Sequence, residues 1–211
     1  MENEGIAVKR QPLPTVRNVE FEVVTWAPDQ ADADLSIACM FEREMPGSQL
    51  SGGLLKLDDV FGGALTRLRD EGSFQAQEME TLVIRKPPAP VKARAIMLIG
   101  LGDPLTLSSA VLVRALRVSF HEAARLGVST VAFAPNLLDA GLSNLAPLGV
   151  EAAMVSGVLG ALNAEHRFAE LGIATPPTVR RWVFDTGAAH FDIVAKSLLT
   201  AFGRFTSVPS E

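Results

Sequence analysis

Cysteine is nearly absent from the 211 residues. A single one, Cys39, excludes an intrachain disulfide and fits a reducing compartment. It lies inside the apolar run of residues 35–41 and reads as a small buried hydrophobe rather than a nucleophile. Basic charge is also scarce. Nineteen Lys and Arg stand against 24 Asp and Glu, for a net charge of −5. That balance leaves no cationic stripe for nucleic acid. No apolar run approaches the ~20 residues of a membrane span. The opening Met1-Glu2-Asn3-Glu4 is acidic, where a secretory leader needs positive charge. The expectation is a cytoplasmic protein that engages neither nucleic acid nor membrane.

Catalytic signatures are missing as well. The three histidines, His121, His166 and His190, fall in different predicted elements without ligand spacing, so no metal site is expected. There is no Gly-x-Ser-x-Gly elbow and no Gly-Lys-Ser or Gly-Lys-Thr. Gly100-Leu101-Gly102-Asp103 starts like a dinucleotide loop but lacks the third glycine. The sequence therefore predicts no catalytic residue and no cofactor.

What remains is a clear pattern of secondary structure. Alternation of Val19, Phe21 and Val23 with polar residues predicts a strand over 16–25. Continuous apolar runs predict buried strands over 35–41 and 94–101, with further strands over 79–86, 128–134 and 178–185. Helices are expected over 64–69, 106–126, 148–167 and 188–205. Residues 1–14 read as a loose tail, and residues 15–206 as one domain. The element order calls for an α/β fold, with a mixed and mostly parallel sheet carrying helices on both faces. In such sheets ligands bind at the carboxyl ends of strands. Gly62, Gly63, Gly100, Gly102 and Asp103 are the candidate ligand-binding residues, because glycine lets backbone approach a ligand and offers free amides.

From residue 54 to residue 172 the chain resembles the amino-terminal domain of the leucyl (cytosol) aminopeptidase family. The resemblance is carried by Leu55-Lys56-Leu57-Asp58, Gly62-Gly63-Ala64-Leu65-Thr66-Arg67-Leu68 and Gly72-Ser73-Phe74. Glu80-Thr81-Leu82-Val83 and the strand Ile96 to Gly102 add to it. It implies a three-layer, macro-domain-like fold. It also implies that peptide hydrolysis belongs to a separate two-metal domain, whose Asn-Thr-Asp-Ala-Glu-Gly-Arg signature has no counterpart here. The chain is thus expected to be a non-catalytic binding or assembly module, a homodimer or the companion of a separately encoded peptidase. The alternative is a macro-like binder of a nucleotide or ADP-ribose. Gly62-Gly63-Ala64-Leu65 resembles the glycine loop that holds the distal ribose there. Ile37-Ala38-Cys39-Met40, however, stands where macro domains carry Asn-Ala-Ala-Asn.

Overall fold

The computed structural model describes residues 8–26, 28–142 and 149–206. Seven strands form one sheet: β1 (Arg10–Pro12), β2 (Glu20–Val24), β3 (Leu35–Met40), β4 (Thr81–Ile84), β5 (Ala95–Gly100), β6 (Thr130–Ala134) and β7 (Arg181–Asp185). Their spatial order is β1-β2-β7-β6-β3-β5-β4. The five central strands run parallel, and the edge strands β1 and β4 run antiparallel to their neighbours. The helices are α1 (Gly52–Val60), α2 (Ala64–Asp70), α3 (Ser109–Leu126), α4 (Val150–Glu170) and α5 (Phe191–Thr206).

Alternate side chains of the central strands build two cores, which explains the unbroken apolar runs. Leu35, Ile37 and Cys39 of β3 point into the larger core with α3, α4 and α5. Ala38 and Met40 point the other way, onto Leu54, Leu57 and Leu65 of α1 and α2. A smaller cluster covers the second face near β7, where Trp26, Ala31 and Ala33 meet Val183 and Ala132. The result is the expected three-layer α/β architecture.

Helix α3 begins at Ser108, whose hydroxyl accepts from the Val111 amide, and ends at Gly127 in the left-handed conformation. The nearly all-apolar α4 lies tightly on it. A Cβ at Gly157 would stand 2.6 Å from both the Leu116 Cβ and the Val113 carbonyl oxygen. Only glycine permits that approach.

One expectation needs revising, and one element is additional. Arg10–Pro12, placed in the tail, add an antiparallel strand to the edge of β2. Three residues ending in proline carry no periodicity, and they are ordered by the pairing with β2 together with the contacts of Arg10 to Glu22 and Trp26. The segment that opens on Gly52-Gly53, for which the sequence predicts no element, is a nine-residue helix whose capping group comes from another loop. Residues 1–7 of the expected tail, and Leu148 at the start of an expected helix, lie outside the described residues.

Candidate functional site

The five glycine-turn positions fall in two places. Gly62 and Gly63 join α1 to α2, with φ of +62° and +75°, and their amides donate to the carbonyls of Asp59 and Asp58. The first amides of α2 are taken too, since the Asp58 carboxylate accepts from Leu65 and Thr66. Gly100 ends β5 and Gly102 follows it, and the strand lies beside β3 through the parallel pairing. Their amides donate to Glu80 and Ala76. A Cβ on Gly100 would stand 2.0 Å from the Gln77 carbonyl oxygen, so this glycine admits a neighbouring segment of chain. Asp103 accepts from the Leu105 amide at 3.0 Å and pairs with Arg43 at 2.9 Å. The amide of Leu105 and the Arg43 guanidinium hold its carboxyl below the usual range.

A cleft of about 1000 Å³ opens elsewhere, above the carboxyl ends of β2, β7 and β6, and none of those five residues lines it. Trp26 follows β2, Asp185 ends β7, and Pro135 and Asn136 follow β6. The first turns of α1 and α4 and one face of α5 complete the walls, through Gly53, Met154 and Ser197 among others. Trp26 is held in place by the guanidinium groups of Arg10 and Arg181, 5.2 and 5.6 Å from its ring.

Asp185 is the most perturbed acid at this site. It is 5% exposed, and its Oδ1 accepts from the Trp26 amide at 3.0 Å. Burial pushes its pKa up to about 8, with a contribution from the nearby Asp29 carboxylate, against the pull of the Trp26 and Thr186 amides. The group is therefore largely neutral at pH 7 and can donate a hydrogen bond as well as accept one. Asp139 and Glu151 line the same cleft, and among the described residues the basic side chains beside them are Lys56 and His190. Much of the remaining wall is apolar, from Leu137, Met154, Phe184 and Ile193.

Sequence reasoning missed these residues because they come from separate elements far apart in the chain. One signal was present: Asp185 closes the apolar strand Trp182-Val183-Phe184, where a lone acid is costly to bury. Among the described residues, no three His, Cys, Asp or Glu side chains come together to hold a metal ion. None of the described helices is long and apolar enough to cross a membrane.

Comparison with known proteins matches residues 42–171 to the model of the cytosol aminopeptidase family, N-terminal domain. No curated protein matches. A tomato leucine aminopeptidase mutant superposes with a TM-score of 0.63 at 20% identity, covering 90% of this chain and 36% of that one. The chain thus spans about a third of that enzyme. An Oceanobacillus iheyensis macrodomain with ADP superposes at 0.62 with 7% identity, covering 95% of this chain and 98% of the other. A Trypanosoma brucei macrodomain in complex with ADP gives 0.58 and 15%, covering 84% and 68%. At these identities the likeness is one of fold.

Proposed function

This chain belongs to the cytosol aminopeptidase family, whose N-terminal domain it matches, and from that premise we propose that it acts as a non-catalytic binding module. Its ligand occupies the cleft above β2, β7 and β6. The observation that carries this reading is the cleft itself, about 1000 Å³ at the carboxyl ends of parallel strands. That is the upper end of the range for small-molecule sites, in the place where open α/β sheets bind ligands. A two-metal peptidase needs several convergent carboxylates. The acids in this cleft instead belong to separate walls, and one of them is held largely neutral at pH 7.

A nucleotide is the second reading, favoured by the two macrodomains of similar fold that are described with ADP. Both readings place the ligand in the same cleft and differ in its charge.

The test uses Nile red, an uncharged apolar dye whose emission rises in a dry pocket. Wild-type protein is expected to bind it saturably. Ser197→Trp, which fills the α5 wall, is expected to weaken binding by about tenfold or more. In parallel, the purified chain with zinc or manganese is expected to leave aminoacyl anilides intact. Equal dye binding by the two proteins, or saturable metal-dependent hydrolysis, would sink the proposal.

A further inference from the structure

Helix α1 begins without a cap of its own. Ser51 stands at the N-cap position, yet its side chain makes no bond to the helix. Its hydroxyl donates instead to the Asp139 carbonyl at 3.1 Å. The cap comes from the loop after β6. The Asp139 Oδ2 accepts from the Leu54 amide at 2.9 Å, and the Gly53 amide also bonds this carboxyl. Gly52 makes the approach feasible: its φ is +61°, and a Cβ there would lie 2.0 Å from the Asp139 Oδ1. The loop itself is pinned, with the Met45 amide donating to the Ala140 carbonyl at 2.9 Å. Gly141 sits so close to Ser48 that a Cβ would come within 2.3 Å of its Oγ.

The free amides of a helix start form a natural seat for phosphate. Here that seat is in the cleft wall, since Gly52, Gly53 and Asp139 all line it. We infer that Asp139 is a specificity-determining residue, whose carboxyl group fills the amide end of α1 as a built-in anion and closes the cleft to phosphate-bearing ligands. This rests on the reading that the cleft is the ligand site. Burial, the largest influence, leaves the Asp139 pKa above the ordinary carboxylate value, and the Leu54 and Gly53 amides oppose it by favouring the ionised form. The other charges agree with the inference. A phosphate entering the cleft would meet the carboxyl groups of Asp139 and Glu151, while Asp185, held largely neutral, adds no full charge, and Lys56 and His190 are the basic side chains on the described walls. The ligand class that fits is largely apolar, uncharged or carrying amino or amide donors that face these carboxyl groups. The structure thereby separates this chain from a polyphosphate binder of the same fold.

Isothermal titration with ADP and with inorganic phosphate tests the inference on wild type, Asp139→Ala and Asp139→Asn. Circular dichroism establishes that each is folded. Wild type is expected to bind neither probe at millimolar concentration. Asp139→Ala should gain affinity for both by about tenfold or more, with a smaller gain in Asp139→Asn, which keeps an acceptor for the amides. If the alanine variant fails to fold, the near-isosteric asparagine variant decides. Micromolar binding of ADP by wild type would overturn the inference while leaving the cleft as the binding site. Folded variants that gain nothing would overturn it too. Failure of the cleft reading shows separately, as absence of Nile red binding by wild type.

Discussion

Replacing Asp185 with asparagine removes a carboxyl group that the fold holds in its neutral form. The side chain is 5% exposed at the end of β7, and burial with the nearby Asp29 carboxylate lifts its pKa to about 8 from an ordinary 3.8. Between those two values the unfolded chain has lost the proton and the folded chain keeps it. Folding then takes up a proton, so stability falls as pH rises through the window from about 4 to about 8. Each unit is worth about 1.4 kcal/mol at most, which makes the carboxyl's penalty roughly 2–4 kcal/mol at pH 7. Asparagine carries no such penalty. Its oxygen can still accept from the Trp26 amide, and the Thr186 amide retains the Val24 carbonyl at 3.0 Å. Urea unfolding of both proteins at pH 5, 6, 7 and 8 reads the difference, in which groups common to the two cancel. The variant's advantage should be small at pH 5 and grow by about 1 kcal/mol per unit towards pH 8. A difference that stays constant across that range would refute the reasoning.

Asp34 has the opposite signature. Burial, the largest single influence, raises its pKa, but the amides of Thr130 and Ser129, the Thr130 hydroxyl and Arg94 outweigh it and bring the net value below 3.8. Asp34→Ala should lose about 1–3 kcal/mol at neutral pH, measured by urea unfolding. The loss should be full above pH ~4 and disappear as pH falls through the lowered folded value. Assembly is read by light scattering: Leu199 and Phe205 leave apolar surface on α5, 40% and 43% exposed, and a homodimer is expected at micromolar concentration. One chain's mass there would exclude it.

The parts of the fold that could be read in advance are those whose cause is local. β3 and β5 are runs of apolar residues buried on both faces, and α3 has a clean 3.6-residue period between a serine cap and Gly127. α1 was hidden for a physical reason. Its first residues, Gly52 and Gly53, favour a turn, and the carboxyl that caps the helix stands 85 residues beyond Leu54, whose amide it accepts from. β1 is ordered by pairing with β2, which leaves no pattern in three residues. The site follows the same rule. Glycine patterns drew attention to Gly62, Gly63, Gly100 and Gly102, whose amides bond within the chain. The cleft, in contrast, is made where strand and helix ends distant in sequence converge, so Asp139 and Asp185 become neighbours of one cavity only after folding.

A crystal structure of the chain soaked with Nile red tests the central claim most directly. The account predicts density for the dye in the cleft between Trp26, Phe184 and Ser197, with the Asp139 carboxyl still seated on the amides of α1. Dye bound instead against Gly62 and Gly63, or against Gly100 and Gly102, with the cleft empty, would contradict it.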